Sequence, residues 1–109
     1  MAGLTEARLR ALLRYCKLED QKDEAEVREL IPLYFEDAVD YLADAGVAEP
    51  PEGTARRTRF DLLVSRMVLD DWDHRDGRCA ENVKDDPAFR RKLNQLKLTE
   101  PVSDLDTLF

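Results

Sequence analysis

An all-α domain of four helices, its third helix buried at the centre, is what this sequence predicts, on three observations. Apolar residues recur at spacings of three and four in four separate segments, the period of one helix face. No stretch of useful length alternates apolar and polar residues with period two, so strands are at most incidental. Proline and glycine gather mainly between the periodic segments, at Pro50, Pro51 and Gly53 above all, with Pro32 the exception. A chain of 109 residues and 12.6 kDa suffices for one domain with one core. The spacing assigns residues 1–98 to that domain and 99–109 to a short tail.

In the first segment Leu9, Leu12, Leu13 and Cys16 fall at i, i+3, i+4 and i+7. Thr5 stands where its hydroxyl can accept an unpaired N–H of the first turn. The second helix is expected over about Asp23 to Ala45, carried by Val27, Leu30, Ile31, Tyr34, Ala38, Tyr41, Leu42 and Ala45. Pro32 removes a hydrogen bond within it and crowds the Arg28 carbonyl, which predicts a kink; the apolar phase carries through, which argues against a break. Gly46 is the stop, because glycine takes the left-handed conformation at a helix C-terminus without steric cost. The third helix is expected from Thr54 or Thr58 to Asp73. Phe60, Leu62, Leu63, Val64, Met67, Val68, Leu69 and Trp72 cover most of its circumference, which makes it the most buried element. The fourth opens on Asp86-Pro87, an N-cap followed by proline at the first helical position. Phe89, Leu93 and Leu96 line one face up to about Leu98. Gly46 to Thr54 and Gly77 to Asp86 are the expected loops.

With 43% hydrophobic residues the chain can build a core, and 38% charged residues make it soluble in expectation. No apolar run approaches the roughly 20 residues of a membrane span. The first residues show no basic stretch leading into an apolar one, so no secretory signal is expected. Cys16 and Cys79 lack metal-motif spacing, which predicts reduced thiols. A net charge of −7 disfavours non-specific DNA binding, which rests on clustered Lys and Arg. That average conceals an uneven distribution. Residues 19–52 hold twelve acidic residues and two basic ones, a net −10, while the remainder carries fifteen basic and twelve acidic, a net +3.

Candidate chemistry concentrates at Asp70-Asp71-Trp72-Asp73-His74-Arg75-Asp76. On a helix Asp70, Asp73 and His74 share a face, and His with carboxylates can ligate a divalent metal. This is the chain's only histidine, which excludes a His-rich site. Carboxylates at a helix C-terminus also oppose the backbone dipole, so Arg66, Arg75 and Arg78 are expected to compensate them as exposed ion pairs. Ser65, Ser103 and the two cysteines are the available nucleophiles, with only His74 as a base. No Gly-rich phosphate loop exists. The runs Arg56-Arg57-Thr58-Arg59 and Arg90-Arg91-Lys92 lack interleaved aromatic residues and are expected to be solvated helix ends rather than phosphate contacts. No residue is assigned a catalytic, cofactor-binding or metal-binding role.

Two charged stripes carry more. Arg10, Arg14 and Lys17 lie at i, i+4 and i+7, away from the leucines of the first helix. Glu26, Glu29, Glu36, Asp37, Asp40 and Asp44 form a long acidic stripe on the second. Either these are solvated faces or they meet head to tail between copies; such a heterologous contact needs two different complementary patches on one subunit and closes into a ring when the rotation allows. Opposed potentials would set register and orientation. The tail is acidic, yet Val102, Leu105, Leu108 and Phe109 are apolar, so it either packs on its own domain or orders against a partner.

The order of segments resembles a known family. An opening Leu4-Thr5-Glu6 helix leads through Cys16-Lys17-Leu18-Glu19-Asp20 into an acidic helix ending Tyr41-Leu42-Ala43-Asp44-Ala45-Gly46-Val47. A Pro-containing loop and the hydrophobic helix from Phe60 to Arg75 follow, then Pro87-Ala88-Phe89 and the closing Gln95-Leu96-Lys97. From Leu4 to Leu98 this pattern is similar to the head–tail connector proteins of tailed bacteriophages and prophages, the DNA-packaging or head-completion adaptors. Pro32 in the second helix and His74 before the arginine depart from it. The resemblance implies a non-enzymatic, all-helical subunit, without cofactor, that joins a ring beneath the portal of a filled capsid. It would extend the DNA channel, contact portal and head-closure or tail proteins, and reside at the virion's head–tail interface after assembly in the host cytoplasm. DNA would pass without specific binding, and the apolar tail would dock the portal through Val102, Leu105, Leu108 and Phe109. Two readings from other classes stand beside it: an acidic regulatory module, such as an antitoxin or DNA mimic, and a metal-dependent hydrolase using Asp70, Asp73 and His74.

Overall fold

The computed structural model describes residues 4–75, 84 and 86–99. Its elements are α1 (Glu6–Tyr15), a 3₁₀ turn (Glu19–Gln21), α2 (Ala25–Asp44), α3 (Ala55–Asp73) and α4 (Pro87–Leu98). The described part of the domain is all-helical. α3 packs against each of α1, α2 and α4, so the helix with the widest apolar circumference lies at the centre.

Local chemistry sets most boundaries. The hydroxyl oxygens of Thr5 and Thr54 accept the backbone N–H groups of Arg8 and Arg57, at 3.2 and 3.1 Å, and Asp86 accepts that of Ala88 at the start of α4. These side chains satisfy first-turn donors that have no partner within the helix. α2 runs unbroken through Pro32. It ends in a Schellman turn: Gly46 sits at φ +98°, its N–H donates to Ala43 O, and the Val47 N–H reaches back to Leu42 O at 2.8 Å. Val47 is thereby carried into the core.

α1 ends in the same way, and here the sequence gives no glycine. Lys17 takes the left-handed conformation at φ +59°. The Leu18 N–H donates to Leu13 O and the Lys17 N–H to Arg14 O. Burial of Leu18 holds this turn in place, since reversal of the chain is what returns that side chain to the core. Lys17 consequently lies beyond the helix, and the expected i, i+4, i+7 stripe of Arg10, Arg14 and Lys17 is cut at its third member.

The core collects Leu12, Leu13 and Cys16 from the α1 end, Val27, Ile31, Phe35, Ala38, Val39 and Leu42 from α2, and Phe89, Leu93 and Leu96 from α4. They surround Phe60, Leu63, Val64, Met67, Val68 and Trp72 of α3. Two details differ from the sequence expectation. Phe35 and Val39 are buried while Leu30, Tyr34 and Tyr41 are only partly so, because the core-facing line of α2 is rotated toward the former pair. Leu62 is half exposed, because among the described residues α4 only flanks that part of α3 and leaves a groove beside it.

Candidate interaction surfaces

Of the arginines at the start of α3, Arg59 is exposed as expected, but Arg56 and Arg57 are not a solvated helix end. Arg57 is 6% exposed. Its Nη1 donates to the Pro50 carbonyl at 2.9 Å and its Nε to Asp61 Oδ2 at 3.2 Å. Glu49 lies 3.8 Å away and bonds the guanidinium of Arg8 on α1, which also donates to Asp61 Oδ1 at 2.6 Å. The same guanidinium stacks over the Phe35 ring of α2. Two arginines and two carboxylates thus tie α1, α3 and the loop after α2 into one unit. Arg56 donates to Leu96 O and to Thr99 Oγ1, closing the C-terminus of α4. Sequence reasoning missed this network because its partners stand up to 53 residues apart. The available signal was the spacing of Arg57 and Asp61 at i, i+4, with Glu49 among the loop prolines.

The Asp70–His74 cluster serves the end of α3. His74 Nδ1 lies 2.6 Å from the Asp70 carbonyl oxygen and 3.2 Å from Asp70 Oδ1. Two acceptors place the proton on Nδ1, and the ring caps a last-turn carbonyl. Arg75 stacks 3.8 Å over the Trp72 ring, donates to Trp72 O, and pairs with Glu26 of α2. Arg66 pairs at 2.7 Å with Asp86, whose carboxyl this bond and the capped Ala88 N–H hold below the ordinary carboxylate range. Arg66 and Arg75, expected to compensate the carboxylates of this helix end, are thus paired with Asp86 and Glu26 instead; Arg78 and Cys79 lie outside the described residues. Among the described residues no three His, Cys, Asp or Glu side chains converge as metal ligands. Ser65 lines a cleft beside Arg8 and Asp61, nine residues and about 13 Å of helix rise from His74, too far for a nucleophile–base pair. Cys16 is buried, and desolvation, with the Asp73 charge, pushes its thiol up to about 11.

The acidic stripe is a single surface. At 100° per residue Glu26, Glu29, Glu36, Asp37, Asp40 and Asp44 occupy an arc of about 100° on α2, opposite its buried line. All six are exposed. Glu26 is bound to Arg75; among the described residues no cationic side chain pairs with Glu29, Glu36, Asp40 or Asp44. At its edge Asp37 faces Asp71, whose carboxyl is raised mainly by burial, then by Asp37 and Asp70, against the opposing Lys84 and His74 charges.

The cations expected to answer this face on α1 are already engaged. Arg10 pairs with Glu6 at 3.7 Å and Arg14 with Glu19 at 3.6 Å, all four largely exposed. The larger basic surface lies on α4 and the adjoining side of α3. α4 carries Arg90, Arg91, Lys92 and Lys97 with no acidic residue between Pro87 and Leu98. It runs antiparallel to α3, since Arg66 meets Asp86 at one end and Arg56 meets Leu96 at the other. The apolar tail residues Val102, Leu105, Leu108 and Phe109 lie outside the described residues. No helix among those described is long and apolar enough to cross a membrane. Comparison with protein-family models, with curated proteins and with solved structures finds no match to this chain.

Proposed function

We propose that this chain is a non-enzymatic structural subunit of the head–tail connector kind that its segment order resembles. It assembles head to tail into a ring beneath a phage portal, extends the DNA channel and joins the capsid to the tail. The observation that carries this reading is the acidic face of α2, an exposed arc on which four carboxylates have no cationic partner among the described residues. Like charges held together on one rigid helix repel, and a surface of opposite potential on another molecule relieves that repulsion. Because the complementary cations stand on other helices of the same domain, the relief can come from a second copy in a heterologous contact, the geometry that generates rings.

Native mass spectrometry of the full chain, alone and with portal assemblies, tests the reading. A closed oligomer, or a monomer that joins portal rings in a fixed ratio, is the expected result. A monomer at high concentration that also fails to bind portal overturns it. The apolar residues Val102, Leu105, Leu108 and Phe109 belong to the proposal as the portal-gripping segment. The same acidic face favours one rival, an antitoxin or DNA-mimic module that occupies a basic site on another protein. That rival predicts a monomer forming a one-to-one complex.

A further inference from the structure

We infer that the acidic face of α2 on one copy seats in the groove between α3 and α4 of the next, with Leu33 entering it beside Leu62. This deepens the ring reading and rests on it. The two surfaces match in shape, polarity and charge. Leu33 is 58% exposed and falls inside the acidic arc, with Glu29, Glu36 and Asp40 around it. Leu62 is 51% exposed and lies in a groove of about 160 Å³, floored by Leu63 and Leu96 and rimmed by Arg59, Arg66 and Lys92. One face therefore presents an apolar knob ringed by carboxylates, and the other an apolar slot ringed by cations.

An apolar centre with a charged rim is how specific interfaces are built: the centre supplies affinity by leaving water, and the rim sets partner and register. Arg66 is shared with Asp86, whereas among the described residues Arg59 and Lys92 have no anionic partner and stay available. The cleft beside Arg10 on α1 is also lined by leucines, Leu9 and Leu13, but Glu6, Glu19 and Asp23 on its rim would repel an acidic face. The contact is also polar in direction. α2 and α4 each pack on α3, so one subunit carries both halves on different helices and cannot close them on itself.

Carbodiimide cross-linking of the full chain, with isotopically heavy and light copies mixed, tests this directly. Expected are heavy–light links from Lys92 to Glu36 or Asp40. Arg59→Glu with Lys92→Glu should weaken self-association at least a hundredfold, as should Glu36→Lys with Asp40→Lys, and a chain carrying all four reversals should assemble again. Leu33→Asp should weaken it about thirtyfold. If a ring forms but the α2 carboxylates link only to Lys17 or Lys22, this inference falls and the ring stands. If Lys92 links only to Glu100, Asp104 or Asp106 of its own copy, the groove belongs to that segment and the inference falls. Absence of any oligomer, both alone and with portal assemblies, overturns the ring reading itself.

Discussion

Removing the buried Arg57 side chain should destabilise this domain far more than removing an exposed arginine such as Arg10 or Arg14. Among the described residues the guanidinium is the one donor to the Pro50 carbonyl, and losing a partner inside the protein costs that oxygen about 1–3 kcal/mol. Breaking a buried ion pair usually costs about 3–5 kcal/mol, because the surviving charge is left alone. Here the lower end applies, since Glu49 and Asp61 both keep Arg8 and Asp61 is 40% exposed. The expected loss for Arg57→Ala is about 3 kcal/mol, or a Tm lower by about 12 °C at about 4 °C per kcal/mol. Arg57→Lys keeps the charge but cannot hold the carbonyl and the carboxylate together, so about half that loss is expected. Urea unfolding followed by far-UV circular dichroism gives both values. A solvent-exposed bridge would be screened at about 1 M NaCl, whereas this one should lose little of its effect there. A loss below about 1 kcal/mol for Arg57→Ala, or one that disappears in high salt, would refute the buried-network argument.

Two further outcomes follow from the same structure. Lys17→Gly should stabilise the domain, because the left-handed conformation costs an L-residue about 1–2 kcal/mol and glycine about 0.4–1 kcal/mol in unfolded-chain entropy; the expected gain, about 0.5–1 kcal/mol, is read from the same urea curves, and a lower midpoint would contradict the turn geometry. Asp71→Asn tests the carboxyl that burial raises. A raised acid binds its proton more tightly folded than unfolded, so its favourable contribution is complete below the ordinary carboxylate range, about pH 4, and lost as pH rises through the native value. The Asn variant should therefore melt above the parent at neutral pH, with the gap closing toward pH 4; a gap independent of pH would show that ionisation plays no part.

Much of this domain was legible in the chain because the signals for it are local. Thr5, Thr54, Asp86 and Gly46 act within four residues of themselves, through hydrogen bonds to adjacent turns. The period of the leucines assigns the helices, and the period of Glu29, Glu36, Asp40 and Asp44 assigns the acidic face. Lys17 was misplaced because nothing in its own identity signals a left-handed turn. Its conformation is imposed from outside, by the burial of Leu18.

The basic half of the surface shows the same division. Arg10, Arg14, Arg56, Arg57 and Arg59 are alike in sequence, each a cation on a helix. Tertiary packing buries Arg57, turns Arg56 onto the end of α4, leaves Arg10 in a weak exposed pair, and sets Arg59 beside a half-open groove. Which leucines remain outside was likewise settled by neighbours: Leu62 and Leu63 are adjacent, yet one is 51% exposed and the other 2%. A residue's helical state is decided within about a turn of chain, so the sequence by itself determined the four helices and the caps at Thr5, Gly46 and Asp86. Burial and ion pairing are decided by residues that arrive from 40 or 50 positions away, as Glu49 and Asp61 do at Arg8. Those partners, and the groove they leave open, only the tertiary structure could select.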